Sequence, residues 1–256
     1  FEHALSKGVA AYKVGAYDLA LRCFEAVIAA RHDHADAHNW LGLAHYKQGE
    51  FEDAGDCFVL ATHFRPDFAD AWYNLGLAAQ RCNDHRVATR HLSRAIEIRP
   101  DYVEAYNALG ESALALNDAS RAIECFEQAI RLNPGYAHAH SNLGCVLFRD
   151  CGEIQRGASH IKTALELNRG DPDILCNQTM VLIHEGRLAE AITVCNQLLA
   201  VKPDFHEARL NLALARLRLG HFEQAWPDYE ARKKVHSNYA ARPYVFSEWR
   251  GEALTA

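Results

Sequence analysis

The chain has 256 residues, 49% of them apolar, and a net charge of −6. Residues 1–204 carry 19 Lys and Arg against 27 Asp and Glu, and residues 205–256 carry 8 against 6; so acidic a body lacks the clustered positive charge that a nucleic-acid backbone requires, which excludes DNA or RNA as the main partner. No run of 18 apolar residues is present, which excludes a membrane-spanning helix and leaves no reason to expect a membrane partner.

In chain order, residues 1–34 set Gly8, Gly15, Ala20 and Phe24 in a frame that then repeats with a period of 34. Trp40, Leu41 and Gly42 lead to Tyr46, Gly49, Ala54, Phe58, Ala61 and Pro66. Trp72, Leu75 and Gly76 lead to Ala88, Leu92, Ala95 and Pro100, and Tyr106, Leu109 and Gly110 to Ala122, Phe126, Ala129 and Pro134. The frame continues through residues 137–171, 172–205 and 206–235. Each unit reads as a helix, a tight turn, a second helix and a link. Gly15, Gly49, Asn83, Asn117, Gly152, Gly186 and Gly220 occupy the turn, where a left-handed residue ends the first helix. Gly42, Gly76, Gly110 and Gly144 let the paired helices approach closely. In the links, Asp33, Asp67, Asp101 and Asp204 are expected to cap first helices, with Asp36, Asp70, Glu104 and Glu207 as the acids of a capping box. The fifth repeat departs with an extra residue at Asp150-Cys151-Gly152, and the seventh with Pro227, which should kink or shorten its second helix.

With this period and these residues the chain resembles the tetratricopeptide repeat family. The resemblance implies an all-α, right-handed solenoid of about seven helix pairs over 1–235. Repeats fall near 1–34, 35–68, 69–102, 103–136, 137–171, 172–205 and 206–235, followed by an irregular segment, 236–256. It also implies that first helices line a concave groove. Tyr239, Tyr244, Phe246 and Trp249 are expected to pack that last segment onto the final repeat.

The candidate site is this groove. Asn74, Asn142, Asn177 and Asn211 share one register of their first helices, where the other repeats have Ser6, Trp40 and Ala108; Asn39 and Asn107 stand one residue earlier. An inward row of amides, each with two donors and an acceptor, can bond the main chain of an extended peptide. The row resembles the asparagine ladder in the repeat arm of O-linked N-acetylglucosamine transferases. The expectation is that these amides lack intrachain partners; the alternative is that they bond neighbouring backbone. Beside them run Tyr46 and Phe148 in an apolar strip, as core packing or ligand pockets. Lys13, Lys47, Arg81, Arg149 and Arg218 close the first helices; they either complement the helix dipole or select acidic peptides.

Fifteen histidines include the group His32, His34 and His38, but no HExxH pattern, phosphate loop or nucleophile elbow occurs. No metal, cofactor or catalytic residue is therefore expected. The eight cysteines form no CxxC pair; Cys23, Cys57 and Cys125, one repeat or more apart, should be reduced thiols in a cytoplasmic protein. The chain begins at Phe1 inside the first repeat and reads as a fragment. Residues 211–230 and Trp249-Arg250-Gly251-Glu252-Ala253-Leu254 resemble the junction where a bacterial repeat array meets a glycosyltransferase-like domain. The functional expectation is a scaffold that binds an extended protein or peptide segment in its groove. The alternatives are the recruiting arm of a longer glycosyltransferase and a self-assembling homo-oligomer.

Overall fold

The computed structural model describes residues 2–235, and all regular structure among them is helical. The contacts divide the chain into two compact units, Phe1–Ala139 and His140–Ala256. The expected docking of Tyr239, Tyr244, Phe246 and Trp249, and the Trp249–Leu254 stretch, lie outside the described residues.

The first unit holds α1 (Glu2–Lys13), α2 (Tyr17–Ala30), α3 (Ala35–Gln48), α4 (Phe51–Phe64), α5 (Ala69–Arg81), α6 (His85–Ile98), α7 (Val103–Ala115) and α8 (Ala119–Leu132). Each helix packs on the next in sequence, and α1, α3, α5 and α7 also touch one repeat to the next. The pairing inside a repeat is a size match. A Cβ added at Gly8, Gly42 or Gly110 would lie 2.6, 2.6 or 2.5 Å from the ring of Phe24, Phe58 or Phe126, and one at Gly76 would lie 2.6 Å from Leu92. Those four large side chains are fully buried. Only a residue without Cβ permits that approach, so the glycines do what their spacing implied.

α9 (Ala137–Arg149) carries the boundary between the units. The second unit continues through α10 (Ile154–Leu167), α11 (Pro172–His184), α12 (Leu188–Val201), α13 (His206–Arg218), α14 (Phe222–Tyr229) and α15 (Arg232–Val235). Here the size match changes. Gly144 still faces Ile161, at 2.7 Å from an added Cβ, but the sixth repeat has Thr179 at the glycine position and Cys195 at the large one. Both are fully buried, so a larger residue on one helix is offset by a smaller one on its partner. The extra residue of the fifth repeat lengthens the α9–α10 turn. Pro227 lies inside α14, which is 8 residues long against 14 in α12.

All seven turn residues have positive φ, from 61° at Asn83 and Asn117 to 87° at Gly49. The caps differ from expectation. Asp33, Asp67, Asp101 and Asp204 do not cap α3, α5, α7 and α13; the capping positions are His34, Phe68, Tyr102 and Phe205, of which only the His34 side chain accepts a helix N–H. The reason lies in the link: the rings of Phe68, Tyr102 and Phe205 sit under the cations of Arg65, Arg99 and Lys202 at 4.5 Å, and this stack takes the capping place. Side-chain caps appear instead on second helices, from Asp84 and Asp118, and on α11 from Asp171.

Candidate functional site

The asparagines were expected to be free of partners, and the structure corrects this. In the first unit, Asn74 Nδ2 donates to Asn39 Oδ1 at 2.9 Å, tying α5 to α3, and Asn39 is 6% exposed. The one-residue offset that separated these two in sequence brings their amides together across the helix pair. Asn107, equally buried, donates to Glu111 Oε1 at 2.8 Å one turn along α7. In the second unit, Asn177 Nδ2 donates to Ser141 Oγ at 2.8 Å, and Asn211 Nδ2 to Thr179 Oγ1 at 2.8 Å and the Cys176 carbonyl at 3.3 Å. Asn142 is half-buried and is also engaged. A mid-helix Asn beside a neighbouring first helix lowers its free energy by bonding across to it, because a buried amide left unpaired is costly.

The aromatic candidates also pack. Trp40 meets Tyr12 edge-on at 5.3 Å and stacks on Phe24 at 6.2 Å, closing the core between the first two repeats. Tyr46 joins the cluster of Ala54, Phe58, Leu75 and Ala78 and meets Phe51 edge-on at 5.2 Å; burial pushes its hydroxyl pKa up. Arg81 is exposed, with its guanidinium 4.6 Å over the Phe51 ring. Phe148 meets His184 edge-on at 5.4 Å, and Arg149 is exposed.

A second recurrence, missed in the sequence, ties the start of a first helix to the end of its second helix in the first unit. Arg65 makes a two-pronged ion pair with Asp36, and Arg99 one with Asp70 at 2.9 and 3.1 Å; the Tyr102 hydroxyl adds a bond to Asp70 at 2.9 Å. The hydrogen bond from Arg65 holds Asp36 below the usual carboxylate range. At Asp70 burial opposes ionisation, but the bonds from Arg99 and Tyr102 prevail, and its pKa is also lowered. The acids that open α3 and α5 are thus neutralised inside their own repeats. Next to them, Tyr73 packs on Tyr102 with ring centroids 4.9 Å apart. Burial pushes Tyr73 up, and Tyr136 up to about 12, with the charges of Glu104 and Glu111 adding to both shifts. The signal was present: Arg65 and Arg99 are 34 residues apart, as are Phe68, Tyr102 and Tyr136. Gln80 spans from α5 to α7, donating to Ser112 Oγ and the Ala108 carbonyl at 2.7 Å each.

The histidines singled out in the sequence serve local structure. His34 caps α3, while His38 Nε2 bonds the His32 carbonyl at 2.8 Å and its ring stacks on Phe64 at 5.4 Å. A different trio, His45, Glu50 and Asp53, has its ligand atoms within 4.8 Å of one another on a surface turn, with His45 Nδ1 already 2.6 Å from Glu50 Oε2. All eight cysteines are unbridged; burial pushes Cys57 and Cys145 up to about 12, which makes them poor nucleophiles. No described helix is long and apolar enough to cross a membrane. A depression of about 320 Å³ in the second unit lies between α10 and α11, lined by Ser159, Lys162, Gln178 and Glu185, and holds none of the asparagines.

Three family profiles, each described as tetratricopeptide repeat, match residues 5–58 and 107–172, residues 67–134, and residues 182–225. No curated protein matches the chain in sequence. Among solved structures, the MamA protein is 25% identical with a TM-score of 0.59, over 66% of this chain and 91% of that one. YrrB, described as a TPR protein with an unusual peptide-binding site, is 19% identical with a TM-score of 0.56, over 67% and 88%. The hetero-tetramer Cut9–Hcn1 of the APC/C is 17% identical with a TM-score of 0.73, over 87% of this chain and 46% of that one.

Proposed function

The chain belongs to the tetratricopeptide repeat family, and from that membership we propose that it is a protein-interaction scaffold whose first helices hold an extended protein segment. The observation that carries the reading is the first unit's ring pair of Tyr73 and Tyr102, together with Gln80 on α5 and the Asn107–Glu111 pair on α7. It joins apolar rings to hydrogen-bonding groups on helices whose backbone is fully engaged, which suits side chains and main chain of a peptide laid across them. YrrB shares the fold and is described with a peptide-binding site, in line with this use. Asn74, Asn142, Asn177 and Asn211, with Asn39 and Asn107, set the spacing of the first helices in this reading. Of these, Asn74 and Asn177 are half-buried and bond within the chain through Nδ2, so theirs are the acceptor oxygens offered to a ligand.

A peptide selected from a random display library against the whole chain tests this. Hydrogen exchange should slow in α3, α5 and α7 when it binds, and Tyr73→Ala should weaken binding about tenfold or more. Protection confined to second helices would overturn the groove assignment. The alternative, a recruiting arm of a longer glycosyltransferase, rests on the resemblance of residues 211–230 and of Trp249–Leu254, the latter outside the described residues; sugar-nucleotide turnover by the intact gene product decides it.

A further inference from the structure

The second helices of the first unit carry a row of exposed charges that form no ion pair among the described residues. At one register, α2, α4, α6 and α8 present Arg22, Asp56, Arg90 and Glu124, each 34 residues from the next and all exposed. One turn earlier α4 and α6 present Glu52 and Arg86, also exposed. None of these six is ion-paired with another described residue, although opposite signs alternate from helix to helix. The fold does not demand the pattern. In the second unit the same register holds Ser159, Thr193 and Pro227.

We propose that this face of the first unit is an interface for a second copy of the same chain. An isologous contact requires that if residue i faces residue j, then j faces i. A two-fold axis parallel to the helices and midway between α4 and α6 sets α4 against α6 of the second copy, and α2 against its α8. Reversing the order of a row of alternating sign inverts every sign. Asp56 then faces Arg90, Glu52 faces Arg86 and Arg22 faces Glu124, each pair occurring twice. Val59 and Leu60, 50% and 41% exposed one turn beyond Asp56, supply apolar contact beside the axis. One like-charge pair, Glu25 opposite Glu127, falls at the rim. No other macromolecule is needed to explain the row, because its complement is itself. Exposed ion pairs each add little, so the dimer is weak and salt-sensitive.

The test is the mass of the whole chain by light scattering at about 0.5 mM protein. At about 0.05 M salt the mass should approach twice 28.7 kDa, and at about 0.5 M it should fall to the monomer value. Glu52→Arg with Asp56→Arg makes these four positions on α4 and α6 all basic, and Arg86→Glu with Arg90→Glu makes them all acidic. Each double variant should be monomeric at low salt with an unchanged melting temperature. An equimolar mixture of the two should restore the dimer, because the reversed positions on α4 and α6 again face opposite signs. A wild type that stays monomeric at low salt would overturn the proposal, as would a dimer unaffected by either reversal or a mixture that stays monomeric. The peptide experiment above bears on the opposite helices, so the two readings fail independently.

Discussion

The third and fourth repeats of the first unit and the sixth repeat of the second solve the same packing problem in opposite ways. Gly76 and Gly110 leave room for Leu92 and Phe126; Thr179 fills the room and Cys195 withdraws from it. The hydroxyl that fills the gap is put to use, since Thr179 Oγ1 donates to the Cys176 carbonyl at 2.6 Å and accepts from Asn211. The lesson is that the repeat conserves the summed volume at the helix crossing, not the identity of either residue.

The largest expected effect follows from that difference in size. Phe126→Ala removes a fully buried ring and should cost about 3–5 kcal/mol, whereas Cys195→Ala at the same register should cost about 1 kcal/mol; urea unfolding of the intact chain measures both. If the two losses are equal, the volume argument fails.

Transplanting one solution into the other sharpens it. Gly110→Thr should destabilise by about 1–3 kcal/mol, because its Cβ would lie 2.5 Å from the Phe126 ring. Adding Phe126→Cys should then be less harmful than Phe126→Cys alone. A double-mutant cycle reads the coupling, which must be favourable by about 0.5 kcal/mol or more.

The amides form the next tier. Asn211→Ala removes the buried donor to Thr179 Oγ1 and the weaker of the two side-chain donors to the Cys176 carbonyl, and should cost about 1–3 kcal/mol. Asn177→Ala removes a single bond to Ser141 and should cost about 0.5–1.5 kcal/mol. Thermal melts of the two variants should differ in that order; the reverse order would mean that the Asn211 amide is not the one sharing the hydroxyl.

The smallest effect is a pH dependence from two ion pairs of the first unit. The folded pKa values of Asp36 and Asp70 are depressed. Their contribution is therefore complete above the ordinary carboxylate pKa and is lost as pH falls through the lowered folded values. Both pairs are more than a third exposed, so each is expected to contribute only about 0.2–1 kcal/mol. Arg99→Met should lower stability by that amount at neutral pH, and the difference from wild type should vanish in acid. A difference that persists in acid would show that Arg99 acts through packing on Tyr102 instead.

The fold was legible because its signals are local. Glycine or asparagine at the turn, glycine at the crossing and a large apolar residue 16 positions later are demanded by backbone conformation and by contact within one repeat. The caps were misread because Asp67 and Asp101 suit a cap by chemistry, while Phe68 and Tyr102 hold the place through a stack with Arg65 and Arg99. The asparagines were placed on the right helices, yet their partners were not visible. Asn74 meets Asn39, 35 residues away, and Asn177 meets Ser141, 36 away.

The sequence by itself thus determined the repeat, its length, its turns and the residues that set helix-to-helix distance, because each depends on neighbours a few residues or one period away. Only the tertiary structure decided which polar groups remain available. A side chain's partner across stacked helices depends on the rotation of each helix about its axis, and a one-residue offset of about 100° is enough to turn a solvated amide into a bonded one.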